Sequence, residues 1–65
     1  MVNYFIELKQ RDSNGLPRYY SINADRMIEV NGTLIFIDDL EGVLTRLMTS
    51  EVEEVTEIRT VYPTP

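Results

Sequence analysis

Carboxylates dominate the second half of the chain, and among its residues they are the best placed to recognise a charged partner. The sequence carries eleven Asp and Glu against six Lys and Arg, a net charge of −5. Residues 38–57 contain most of the acids and only one base, Arg46; these acids are Asp38, Asp39, Glu41, Glu51, Glu53, Glu54 and Glu57. Spaced carboxylates can reproduce the potential of nucleic-acid phosphates and block a basic protein groove. They can equally be solubilising charges that keep sheet edges from pairing.

A second candidate site combines arginine with tyrosine. Arg18 and Tyr19 are adjacent, and Arg11 and Arg26 are near them in the sequence. Guanidinium groups bind phosphate through two hydrogen bonds, and tyrosine rings stack on bases. These four residues could therefore hold a nucleotide-like anion, for example between two subunits. Arginine and tyrosine are also common as cross-strand pairs on an exposed sheet face, so both interpretations stay open.

Catalysis and metal binding have little support in the sequence. The chain has no Cys and no His, Lys9 is its only lysine, and its three serines occupy predicted turn, surface or helix-cap positions. Paired carboxylates could catalyse acid–base chemistry, but here they cluster in turns where solvent keeps them ordinary. Asp38, Asp39 and Glu41 carry oxygen ligands, but they lack the spacing of a calcium-binding loop. The sequence therefore predicts a non-enzymatic protein with no cofactor and no metal.

The charge balance also limits the partners. Binding to nucleic acid or to an anionic membrane needs a basic surface that displaces counterions, and this chain is acidic. It contains neither an apolar stretch of membrane-spanning length nor the pattern of a secretory leader. We therefore expect a cytoplasmic protein that binds neither nucleic acid nor membrane directly.

The strongest structural signal is an Asn-Gly pair between two β-rich runs, Met27–Val30 and Thr33–Ile37. Asn31 and Gly32 suit the two positive φ angles of a type I′ turn, which joins antiparallel strands in a two-residue hairpin. The turn fixes the register, so Val30 is predicted to oppose Thr33. One face of the hairpin then carries Ile28, Val30, Ile35 and Ile37, and the other carries Met27, Leu34 and Phe36 around Glu29. Because both faces are apolar, we expect this hairpin to be central or covered by a partner.

The flanking segments predict further strands. Residues 2–9 and 18–24 alternate apolar and polar side chains, as do residues 55–62, and residues 50–54 suggest one helical turn. Asp25 and Arg26 mark a bend between strands. Residues 43–48 fit a strand, but Leu40, Val43 and Leu47 also fit a helix over about residues 39–49. We predict one domain over residues 1–62, followed by a disordered tail at residues 63–65.

These elements predict an all-β fold of five or six antiparallel strands in a small, partly open barrel, with an α+β fold containing the 39–49 helix as the alternative. A chain of this size buries only about 60% of the surface that its unfolded form exposes, and it has no cysteine for disulfides. Self-association is the remaining common route to stability. We therefore expect a homo-oligomer.

The run from Asn23 to Asp39, followed by Gly42-Val43-Leu44 and Ser50–Val55, resembles short β proteins encoded by phages and prophages. The resemblance covers about half of the chain. It implies an SH3-like barrel and an accessory protein that inhibits or sequesters a host component. The expected partners are the protein itself and either a host protein with a basic surface or a small nucleotide-like ligand; a purely structural assembly subunit is a further alternative.

Overall fold

The computed structural model describes residues 2–59, which form six β-strands and one 3-10 helix. The strands are β1 (Val2–Arg11), β2 (Pro17–Ala24), β3 (Arg26–Val30), β4 (Thr33–Asp38), β5 (Gly42–Met48) and β6 (Val52–Arg59), and the 3-10 helix is Thr49–Glu51. They make two antiparallel sheets of three strands, the first sheet with order β2-β1-β6 and the second sheet with order β3-β4-β5. The all-β prediction is confirmed. The two sheets are not closed into a barrel.

The alternative helix at residues 39–49 is wrong, because these residues form a turn followed by β5. Asp38 accepts hydrogen bonds from the backbone N–H groups of Leu40 and Glu41 at 2.8 and 2.9 Å, which is the pattern expected of a helix N-cap. Gly42 then adopts φ 87°, in the left-handed region, and a helix cannot continue through that conformation. The same local signals therefore begin a β-turn here.

The central hairpin forms as predicted. Asn31 and Gly32 have φ angles of 49° and 76°, and Val30 pairs with Thr33, Ile28 with Ile35 and Met27 with Phe36. The structure also shows which face is buried: Leu34 and Phe36 belong to the core, whereas Ile28 and Val30 are exposed.

The core lies between the two sheets. Its buried side chains are Val2, Tyr4, Ile6, Ala24, Leu34 and Phe36. The rings of Tyr4 and Phe36 join the sheets in an edge-to-face contact with centroids 5.3 Å apart and planes at 69°. Such a contact adds about 0.5–1.5 kcal/mol beyond the burial of the rings. Tyr20 lies opposite Ile6 on the core side of the first sheet, but it is 43% exposed because β2 is an edge strand.

Asp25 forms the corner at which the chain passes from the first sheet to the second. It is the single residue between β2 and β3. Its N–H donates to the carbonyl of Ile37 at 2.9 Å, and its carboxylate accepts from the N–H of Asp39 at 2.7 Å. These bonds hold β3 against the far end of β4, and the predicted bend is confirmed.

Several predicted boundaries differ from the structure. The strand predicted to begin at Val55 begins at Val52, and the helical turn predicted at residues 50–54 is the shorter 3-10 helix. The first strand extends to Arg11. The predictions for residues 60–65, including the tail, lie outside the described residues. In residues 2–59, no helix is long and apolar enough to cross a membrane.

Candidate interaction surfaces

Four of the predicted acidic residues line one uncovered edge of the first sheet. Glu53, Glu54 and Glu57 lie on β6, which is an edge strand, and Glu51 lies in the preceding 3-10 helix. All four are exposed. At about 3.3 Å per residue the three glutamates on β6 extend over about 13 Å. We call these four residues the acidic edge. Within residues 2–59, its one ion pair joins Glu57 to Arg59, with 3.2 Å between Oε2 and Nη2 and both side chains largely exposed.

A like-charged pair strengthens the negative potential of this edge. Glu54 is directly opposite Glu7 on β1, so both carboxylates lie on the outer face of the first sheet. The register then shifts, which leaves Glu53 as an extra residue in β6. Like charges opposite one another on neighbouring strands destabilise a sheet.

The remaining predicted acids, Asp38, Asp39 and Glu41, lie elsewhere. Asp38 is the last residue of β4, and Asp39 and Glu41 are in the turn that follows it. The 3-10 helix lies at the other end of β4, where the N–H of Thr49 donates to the carbonyl of Gly32 at 2.8 Å. Six residues of β4 separate the two ends by about 20 Å. Asp38 is engaged by its own turn, and Asp39 forms an exposed ion pair with Arg26 at 3.8 Å. The acids predicted as one surface are therefore two groups.

The structure does not bring the predicted arginine and tyrosine residues together within one chain. Arg18 and Tyr19 follow one another in a regular strand and so lie on opposite faces of the first sheet. Tyr19 stacks on Phe5, with ring centroids 5.1 Å apart. Arg11 donates to the carbonyl of Gly15 at 3.1 Å and closes its own loop. Arg26 lies on the second sheet beside Asp39.

One cavity, of about 290 Å³, lies near the 3-10 helix. It is lined by Leu8, Lys9, Gln10, Leu47, Ser50 and Glu51. Its volume is at the lower limit of pockets that enclose small ligands, and none of the four arginine and tyrosine candidates lines it. Among residues 2–59, no group of three or more acidic side chains is arranged to hold a metal ion.

A third surface is apolar. We call it the outer face: the side of the second sheet that points away from the core. By register it carries six apolar residues and three others, namely Ile28, Val30, Ile35, Ile37, Val43 and Met48, with Arg26, Thr33 and Arg46. The two-faced hairpin indicated four of these positions. The sequence did not show that Val43, Arg46 and Met48 of β5 belong to the same face. Leu44 is an extra residue in the pairing of β5 with β4, so simple alternation along β5 assigns these residues to different faces.

The chain matches no protein-family model, no curated protein and no solved structure. The resemblance to short phage and prophage β proteins stays a prediction.

Proposed function

We propose that this chain is a non-enzymatic binding protein that acts as a homo-oligomer and contacts a protein with a basic surface through the acidic edge. In the form suggested by the resemblance to phage proteins, it is an accessory factor that inhibits or sequesters a cytoplasmic host component. The observation that carries the proposal is that four exposed glutamates lie at one uncovered strand edge, with Glu54 on the outer face of the first sheet and Glu57 on the face of Tyr4; the other two are Glu51 and Glu53.

The pair formed by Glu7 and Glu54 supports a binding role over a purely solubilising one. Solubility needs dispersed charge, and it gains nothing from two carboxylates placed opposite one another at a cost in stability. A lysine or arginine of a partner that approaches both carboxylates would remove this repulsion. Mimicry of nucleic acid is a specific form of the same proposal, in which the partner surface is a groove that otherwise holds phosphates.

We further propose that the two sheets are the halves of a small SH3-like barrel. Two features support this proposal: the chain turns from the first sheet into the second at Asp25, and the 3-10 helix connects β5 to β6 beside β1. In this arrangement β6 is an exposed strand beside β1, and its carboxylates are open to a partner.

The experiment compares two double variants of equal charge. Glu53→Gln with Glu54→Gln changes the acidic edge, and Asp39→Asn with Glu41→Gln changes the turn after β4; each variant reduces the net negative charge by two. Binding to a fluorescent oligolysine peptide is measured by anisotropy at low salt. We expect the edge variant to lose affinity several-fold more than the turn variant, because close opposite charges contribute more than distant ones.

Equal losses in the two variants would show that net charge alone attracts the peptide and would contradict the proposed site. The same variants then serve as baits for affinity capture from a bacterial lysate. A partner that the wild type and the turn variant recover, and the edge variant loses, is the expected result. Glu53 and Glu54 are exposed, so circular dichroism is expected to show that both variants keep the fold.

A further inference from the structure

We propose that the outer face of the second sheet is the contact between two copies of this chain, which pair face to face as a symmetric dimer. This inference rests on the self-association that the proposed function includes, and it assigns that self-association to a surface different from the acidic edge.

The strands of the outer face present none of the carboxylates that make two copies of this acidic chain repel one another. The protein has a net charge of −5, so two copies repel one another wherever carboxylates meet. By register, none of the acidic residues of β3, β4 or β5 is on the outer face: Glu29 opposes Leu34 and Asp38 follows Ile37, on the opposite side. The two charged side chains on the face are Arg46 and Arg26, and Arg26 forms an ion pair at 3.8 Å with Asp39, which follows the end of β4. An acidic protein can approach its own copy through such a surface.

The positions of the arginines are compatible with two-fold symmetry. A two-fold axis along β4 sets β3 of each copy against β5 of the other. Arg46 then lies against Ile28 of the second copy and Arg26 against Val43, so no two arginines meet. Val30 packs on Met48 of the second copy, and both side chains are about half exposed in the single chain. The aliphatic part of each arginine covers apolar surface while its guanidinium stays in water.

The size of the face predicts a weak dimer. Three strands about 4.8 Å apart and about five residues long give a face of about 14 by 17 Å. This area is well below the roughly 800 Å² that each partner buries in a standard interface. We therefore expect dissociation constants in the micromolar range or weaker, and the association must be measured as a function of concentration.

The experiment uses two isoleucines on edge strands. Ile28 on the outer face is 40% exposed, and Ile58 on the first sheet is 53% exposed. Sedimentation velocity is run on the wild type, Ile28→Lys and Ile58→Lys from about 1 µM to about 1 mM. We expect the wild type to pass from monomer to dimer, Ile58→Lys to follow it, and Ile28→Lys to need at least about tenfold more protein, because the dimer would bury the new charge.

A wild type that stays monomeric throughout would overturn the inference, as would a loss of dimer in Ile58→Lys with none in Ile28→Lys. If Ile28→Lys does not fold, the test is made on the wild type by following backbone NMR shifts on dilution. Changes confined to β3, β4 and β5 support the dimer, and changes confined to the first sheet overturn it.

Self-association and oligolysine binding are expected to respond to salt in opposite directions, which distinguishes this inference from the proposed function. Raising the ionic strength screens the repulsion between two acidic copies, so self-association is expected to strengthen. Binding of oligolysine to the acidic edge is expected to weaken under the same conditions. Self-association that weakens with salt would contradict an interface whose strands present no carboxylate, and the oligolysine result stands independently of it.

Discussion

At the scale of single residues, the pair formed by Glu7 and Glu54 is the clearest conflict with stability in the described structure. Cross-strand like charges are unfavourable, and no ion pair within residues 2–59 involves either side chain. Sequence reasoning identified Glu54 as a member of an acidic surface, but it could not pair Glu54 with Glu7. That pairing depends on the register of strands from opposite ends of the chain.

Glu54→Gln is expected to raise the free energy of unfolding by about 0.2–1 kcal/mol, because it removes the repulsion while keeping the size of the side chain. Urea unfolding at neutral pH measures the change. Glu53→Gln is the control, since Glu53 is the extra residue of the strand and has no opposing partner. A less stable Glu54→Gln protein would refute the repulsion.

The buried hydroxyl of Tyr4 is expected to make the free energy of unfolding depend on pH in the alkaline range. Burial raises the pKa of its hydroxyl above the ordinary value of 10.0, and the charge of Glu57 adds to this; Arg59 and a backbone hydrogen bond at Met27 act in the opposite direction. The folded protein therefore holds the phenolic proton more tightly than the unfolded chain does. The resulting stability is fully present below pH 10 and is lost as the pH rises through the raised pKa.

Tyr4→Phe is expected to flatten this alkaline decline, since phenylalanine cannot ionise. Urea unfolding at about pH 9 and about pH 11 gives the slope for each protein. Tyr19→Phe, at a side chain that is 54% exposed, is the control for the removal of a tyrosine hydroxyl from the surface. An equal loss of stability between the two pH values in the wild type and in Tyr4→Phe would show that Tyr4 does not cause the decline.

At the scale of elements, the hairpin of β3 and β4 shows what local chemistry determines. Its turn type, register and division into faces follow from Asn31-Gly32 and the alternation around it. The 39–49 segment shows the opposite case. The hydrogen bonds that Asp38 accepts fit the start of a helix as well as the start of a turn. The segment forms a turn and a strand because the residues of β5 pair with β4. Such pairing is a tertiary interaction, and no local pattern contains it.

Gly32→Ala tests the element whose geometry is most strictly determined. A Cβ atom at this position would meet only the Thr49 hydroxyl at 3.6 Å, an ordinary contact, so the cost is conformational. With φ at 76°, the expected loss is about 1–2 kcal/mol in the free energy of unfolding. Asn31→Gly is the matched control, with an expected change below about 0.5 kcal/mol. Similar losses in both variants would mean that the turn is not type I′ in solution.

At the scale of the whole molecule, the sequence was sufficient for the fold class and insufficient for the grouping of side chains. Composition and alternation predict an all-β chain with an acidic second half. They do not show that the acids divide between two ends of the structure, because that division follows from strand order. The separation of Arg18 from Tyr19 does follow from the predicted strand, because neighbouring residues of a strand lie on opposite faces. The acidic edge lies on the first sheet, and the apolar outer face lies on the second sheet, so the two surfaces are separate.

The pairing of β1 with β6 also has a consequence for biosynthesis. The first strand is translated first, and its second neighbour is the last described strand of the chain. The hairpin of β3 and β4 needs only local contacts and can form early, but the first sheet must close a loop that includes most of the sequence. Folding on the ribosome therefore cannot finish until β6 has emerged. Until then, one side of β1 is available to any other extended chain.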